Sequence, residues 1–207
     1  MICLFGGTFD PVHLGHLHAA AAVREALGVA EIRLVLSARP SHKGTPGASI
    51  EHRWEMLCLA CATQHGLTPD DREMRRARPS FTVETLLEVK AEFPGESLAW
   101  VIGSDAYALL PSWYRWQEVL KLTSLVVLKR PGHPLLLDDT MAELTRAHQV
   151  ESLEGCHEGG ILILDDEMRE MAAQDIRATI AAGRSTAHLL PEPVATYIKA
   201  HHLYGGC

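Results

Sequence analysis

Apolar positions along this chain follow two alternating patterns. Short dense runs at Ile2 to Phe5, Ile32 to Leu36, Leu98 to Ile102, Leu125 to Leu128 and Ile161 to Leu164 have the length of strands buried on both faces. Between them lie longer stretches in which apolar residues return every three or four positions: Leu14 to Leu27, Ile50 to Thr63, Phe81 to Ala91, Ile176 to Ala182 and Pro193 to His201. That period predicts helices. Strands that alternate with helices build a parallel sheet, since each parallel connection has to cross back over the sheet. The expected class is therefore α/β: an open parallel sheet with helices on both faces, closing on a helical carboxy-terminal segment. Residues Pro131 to Gly160 have weak periodicity and no assigned elements. A chain of 207 residues has room for one sizeable core, and two would each be cramped, so residues 1–207 are read as a single domain.

In an open sheet of this kind, ligands gather at the carboxyl ends of the strands, where successive connections diverge. The distinctive residues of the sequence fall at those ends. The first strand runs into Gly6-Gly7-Thr8-Phe9-Asp10-Pro11-Val12-His13-Leu14-Gly15-His16, a glycine turn that opens a helix. Glycine lets the backbone approach a phosphate closely, and a helix amino terminus offers unpaired N–H groups and partial positive charge. The run lacks the GK[ST] of a Walker A loop and does not fit the GxGxxG dinucleotide fingerprint. His13 and His16, three apart, share one helical face at the end of this loop. A zinc site would need a further ligand at fitting spacing, and no metal ligand set is assigned. After the second strand, His42 and Lys43 precede Gly44, Pro46 and Gly47, on a loop whose cations could fold over phosphates. Gly103 and Asp105 follow the strand ending at Ile102, and Trp113 and Tyr114 sit in an aromatic loop after Pro111.

Composition narrows the partners. A formal net charge of -7 gives no general attraction to nucleic acid or to an anionic membrane, so neither is expected as a partner. The cluster Arg72, Arg75, Arg76 and Arg78 is interrupted by Glu73 and reads as a solvated face or a strand edge. Five scattered cysteines, an odd number, suit a reducing compartment, and Cys58 and Cys61 lie at helical spacing among apolar neighbours, where both read as core. The amino-terminal MICLF is too short for a signal segment and no apolar run reaches about 18 residues, so a cytoplasmic protein is expected. The sequence carries no signature of oligomeric state.

The run GGTFDPVHLGH resembles the HxGH nucleotidylyltransferase superfamily, and within it the bacterial nicotinate mononucleotide adenylyltransferases. Pro40-Ser41-His42-Lys43 resembles that family's P-x-H-K/R loop, Pro79-Ser80-Phe81-Thr82 its P-S-Y/F-T segment, and Ile102-Gly103-Ser104-Asp105 its I-G-x-D turn. Pro111-Ser112-Trp113-Tyr114 with Trp116, and Leu189-Leu190-Pro191-Glu192-Pro193-Val194 with Tyr197 and Tyr204, complete a likeness that leaves out only residues 131 to 160. The resemblance implies a Rossmann-like fold and transfer of AMP from magnesium-bound ATP to nicotinate mononucleotide, with release of pyrophosphate. It also implies site roles. Gly6, Gly7, Thr8 and Phe9 would hold phosphate, and His13, His16, Lys43 and Arg177 would stabilise the charge that develops on transfer. Gly103 and Asp105 would take a ribose, while Thr8, His42, Lys43, Thr82, Trp113 and Tyr114 would hold the mononucleotide.

One motif departs from the family. Where its members carry I-S-x-T-x-I-R ahead of a helix, this chain reads Met171-Ala172-Ala173-Gln174-Asp175-Ile176-Arg177. Two hydroxyl donors are missing, Arg177 stays in register, and Asp175 is expected either to cap the helix or to face magnesium. The loss keeps a catalytically impaired nucleotide sensor open as an alternative. A pantetheine-phosphate adenylyltransferase or a cytidylyltransferase would share the glycine loop but lack the closing LLPEPV helix. Acid and amide mononucleotides both remain open as substrates, because backbone N–H groups leave no side-chain signature.

Overall fold

The computed structural model describes residues 1–40, 44–129, 135–165 and 171–205. In chain order these form β1 (Ile2–Gly7), α1 (Leu14–Leu27), β2 (Ile32–Leu36), α2 (Ile50–Cys61), β3 (Leu67–Asp70), α3 (Thr82–Glu92) and β4 (Leu98–Gly103). There follow α4 (Ser104–Ala108), a 3-10 turn at Leu110–Ser112, α5 (Trp116–Leu122), β5 (Ser124–Lys129) and α6 (Asp139–His148). The chain closes with β6 (Gln149–Val150), β7 (Ile161–Asp165), α7 (Ala173–Ala181) and α8 (Glu192–Ala200).

The strands make one sheet in the order β3-β2-β1-β4-β5-β7-β6, with every pairing parallel. Apolar side chains leave both faces, which explains the unbroken apolar runs in the sequence. In β1, Cys3 enters the core under α1, α2 and α8, and its neighbour Leu4 enters the opposite core under α3 and α5. In β4, Ala99 and Val101 go to the first face while Trp100 and Ile102 go to the second. From β1 the chain proceeds outward to β2 and β3, then returns to lay β4 on the other side of β1. That reversal opens a crevice at the carboxyl ends of β1 and β4.

Every strand and helix expected from periodicity is present, with ends displaced by three residues at most. The elements that periodicity missed are short or polar. Edge strand β3 reads Leu-Thr-Pro-Asp, and Pro69 can sit there only because an edge strand has a free side. Helix α6 lies in the unread stretch and is anchored by Asp138, whose carboxylate accepts the Met141 amide at 2.8 Å.

The arginine cluster lies beside edge strand β3, and only part of it is a solvated face. Arg75 and Arg78 are exposed, but Arg72 is only 9% exposed and forms a fork with Asp70 at 2.6–2.9 Å. The Arg76 guanidinium, also buried, stands 3.2 Å from Glu88 and 3.6 Å from Glu84. These two arginines form ion pairs rather than a solvated face, with Asp70 on β3 and with Glu84, Glu88 and Glu92 on α3. Among the described residues, no helix is long and apolar enough to cross a membrane.

Candidate active site

The turn out of β1 is packed from within. An added Cβ on Gly7 would come within 2.7 Å of the Phe9 ring, and one on Gly6 would overlap the Trp100 indole. The space that these glycines leave is therefore filled by the protein itself. Phe9 holds a left-handed backbone at φ 47°, which a bulky residue adopts only when its surroundings fix it. Its ring is buried and meets the His16 ring edge-on at 5.0 Å, so of the expected phosphate ligand Phe9 only the backbone is available.

His13 caps α1. Its Nδ1 accepts the His16 amide at 3.3 Å, while the Nδ1 of His16 accepts the His13 amide at 3.3 Å. This reciprocal capping box places both protons on Nε2, and the two rings stack with centroids 3.6 Å apart. His13 is 3% exposed, and burial pushes its pKa down to about 4, so it is a neutral N–H donor at pH 7. His16 is half-buried and outermost. The expected free amides of this helix end are mostly used. The Leu14 N–H donates to the Leu189 carbonyl at 2.9 Å and that of His16 to His13. Of the first-turn amides, those of Leu14 and His16 are therefore already occupied.

Arg177 reaches the same place from α7. Its Nη1 donates to the carbonyl of Asp10 at 2.7 Å and stands 3.6 Å from that residue's carboxylate. Asp10, 6% exposed, also accepts the Gly47 amide at 2.7 Å, the Ala48 amide at 3.1 Å and the Tyr204 hydroxyl at 2.8 Å. Beneath this loop lies Arg53, 1% exposed, whose guanidinium donates to the carbonyls of Thr8, Ser37, Ala38 and Ala48 at 2.8–3.3 Å. It ties the ends of β1 and β2 to the start of α2. Burial without a full ion pair lowers its pKa, with Asp10 the leading opposing charge. Helix α7 has Ala172 at its N-cap and so no side-chain cap. Asp175, third in that helix and exposed, is therefore not the cap that the sequence suggested.

On the Trp100 side of the β1 turn opens a cavity of about 420 Å³. Gly6, Gly7 and Thr8 line it from the end of β1, Gly103 and Asp105 from the end of β4, and Thr82, Trp113 and Tyr114 complete the lining. Thr82 is the first residue of α3, so its N–H has no intrahelical acceptor. The Phe81 and Tyr114 rings pack at 4.6 Å beside it. The segment after β2 is laced to this wall, since the Ser80 amide donates to the Arg39 carbonyl at 2.9 Å and the Arg39 amide to the Ser80 hydroxyl at 3.1 Å. Glu73, itself buried, also lines this cavity. Its carboxyl accepts the Thr85 hydroxyl at 2.6 Å, and burial raises its pKa.

Residues 4–179 match the model of the cytidylyltransferase-like family. A probable nicotinate-nucleotide adenylyltransferase of Aeromonas hydrophila is 41% identical over 206 residues, covering 98% of this chain and 96% of its own. One of Stenotrophomonas maltophilia is 43% identical over 212 residues, covering 97% and 95%. This chain belongs to the nicotinate-nucleotide adenylyltransferase family. The fold agrees with that of the Plasmodium falciparum nicotinic acid mononucleotide adenylyltransferase complexed with NaAD, at a TM-score of 0.77, 16% identity and coverage of 98% and 96%.

For a nicotinate-nucleotide adenylyltransferase, the candidate residues fall into two groups. Arg177 meets the histidine loop at Asp10, and His13 stacks on His16. Gly6, Gly7, Thr8, Thr82, Gly103, Asp105, Trp113 and Tyr114 line the cavity. Gly103 and Asp105, expected from the resemblance to take a ribose, share the cavity with the residues expected to hold the mononucleotide. His42 and Lys43 lie outside the described residues. Sequence reasoning gave no role to Asp10, Arg53 or Tyr204. The one signal for Arg53 is a lone arginine inside an apolar helical period, which ordinary surface helices also show.

Proposed function

We propose that this nicotinate-nucleotide adenylyltransferase, read as a single domain, joins its two substrates across the β1 turn. The mononucleotide occupies the 420 Å³ cavity and the triphosphate of ATP lies over His16 and Arg177. A phosphate oxygen of nicotinate mononucleotide attacks the α-phosphorus in line. The bond from that phosphorus to the bridging oxygen breaks and pyrophosphate leaves, giving nicotinic acid adenine dinucleotide. The attacking phosphate has a second pKa of about 6 and is already mostly ionised at pH 7, so no general base is needed.

In this reading the work of the protein is orientation and charge stabilisation. His16 donates from Nε2 to the transferring phosphate, and His13 holds its ring through the capping box. Arg177 adds the positive charge. Its fork spends Nη1 on Asp10 and makes no bond through Nε or Nη2 among the described residues, which leaves an edge for phosphate. His42 and Lys43, outside the described residues, would add donors to the phosphates. In the cavity, Trp113 lies against the pyridine ring, the amides at Thr82 and Tyr114 take the carboxylate, and Asp105 accepts ribose hydroxyls.

Magnesium would accompany ATP. Among the described residues no group of three His, Cys, Asp or Glu forms a cage, and the Asp10 carboxylate is taken by three donors. Such a donor set fits an ion held by the nucleotide's phosphates and water, supplying charge to the leaving pyrophosphate. Asp175, exposed in the first turn of α7, is the carboxylate that would face the hydrated ion.

The observation that most supports this reading is the Arg177 bond to the Asp10 carbonyl, which brings a guanidinium from 167 residues away to the histidine loop. The test is pyrophosphate release from ATP with and without nicotinate mononucleotide. Stoichiometric pyrophosphate and dinucleotide are expected only with both substrates present. Binding of ATP with no product would mark a sensor.

A further inference from the structure

Tyr204 comes from beyond α8 and reaches the phosphate loop across a sequence separation of 194 residues, donating its hydroxyl to Asp10 Oδ1 at 2.8 Å. The same oxygen accepts the Ala48 amide at 3.1 Å, while Oδ2 accepts the Gly47 amide at 2.7 Å and stands 3.6 Å from Arg177 Nη1. Three neutral donors thus orient a buried carboxylate so that one oxygen faces the guanidinium without closing a fork on it. The Tyr204 ring and the Arg177 stem also share one slot. A Cβ on Gly47 would come to 3.2 Å from ring carbons of Tyr204 and 3.3 Å from Cδ of Arg177. Burial, with the adjacent Asp10 anion, drives the Tyr204 phenol far above its usual range, so the hydroxyl stays protonated as a donor at working pH.

We propose that Tyr204, acting through Asp10, is a positioning residue that keeps Arg177 half-engaged and aimed at the transferring phosphate. Without the hydroxyl, Oδ1 loses a donor and the carboxylate can turn to close a bidentate pair with Arg177, drawing the guanidinium away from the nucleotide. The role deepens the adenylyl-transfer reading given above and rests on it. A tyrosine that merely fastened the carboxy terminus would change thermal stability and leave Arg177 unaffected.

The experiment is a double-mutant cycle on the full chain with Tyr204→Phe and Arg177→Ala. It is read twice, as single-turnover rate with both substrates and as Kd for a non-hydrolysable ATP analogue. Tyr204→Phe should slow transfer about fivefold and weaken analogue binding in the native background, with less than about twofold change once Arg177 is alanine. The KM for nicotinate mononucleotide should not move. Gly47→Ala, which disturbs the slot from the opposite wall, should reproduce the effect. Equal factors in both backgrounds, or no effect of Tyr204→Phe, would overturn the assignment. If the native chain releases no pyrophosphate, the catalytic reading fails, and the binding cycle by itself still decides whether Tyr204 acts through Arg177.

Discussion

His13 and His16 hold each other in place, since each Nδ1 accepts the other residue's backbone amide at 3.3 Å and the rings stack 3.6 Å apart. The arrangement turns a sequence motif into two rings of fixed direction, each with its Nδ1 occupied by a backbone amide. It also gives the first histidine a marked pH signature.

Folded His13 has a pKa of about 4, against 6.5 unperturbed, because burial disfavours its charged form. Between those values the unfolded chain binds more protons, so stability is complete above pH 6.5 and is lost as pH falls towards 4. The loss from this group should be about 3 kcal/mol. Thermal melts across this range should show it, and His13→Asn, which keeps a capping acceptor, should flatten the dependence. An unchanged slope in that variant would place the titration elsewhere.

Gly6 lies under the Trp100 indole, where an added Cβ would approach Cη2 to 2.8 Å. Gly6→Ala should therefore destabilise the fold by about 1–3 kcal/mol. Trp100→Phe removes the clashing atoms, so the double variant should melt higher than Gly6→Ala alone. Additive losses would show that phosphate approach, and not packing, requires glycine here.

Trp113 lines the cavity together with Gly6 and Thr8. Trp113→Ala should raise the KM for the mononucleotide about tenfold and leave the KM for ATP within about twofold, with Trp113→Phe intermediate. Steady-state kinetics with each substrate varied in turn would separate the two.

Asp175 is exposed in the first turn of α7. With the capping role removed, Asp175→Asn should raise the KM for ATP at low magnesium and converge on the native value when magnesium is saturating. A KM unchanged at every magnesium concentration would sever Asp175 from the ion.

The sheet was legible because its strands are apolar on both faces, and the helices because their apolar stripes are long. Strand β3 escaped notice because Pro69 stands in it, and α6 because its segment is largely polar. The glycine and histidine loop was legible because it is contiguous. Even there, the motif did not reveal that Trp100 and Phe9 fill the space above the glycines. The hub at Asp10 was hidden for a different reason. Its contacts to Gly47 and Tyr204 span 37 and 194 positions, and only the folded sheet brings such distant groups together.

The central physical claim is that His16 acts on the transferring phosphate more than on the bound substrates. The most direct measurement is the single-turnover rate of His16→Ala with saturating ATP and nicotinate mononucleotide, beside the Kd of each. The expected result is a rate lowered at least about a hundredfold, with each Kd changed no more than a few-fold. Transfer at near-native rate would contradict the claim and remove His16 from the chemistry.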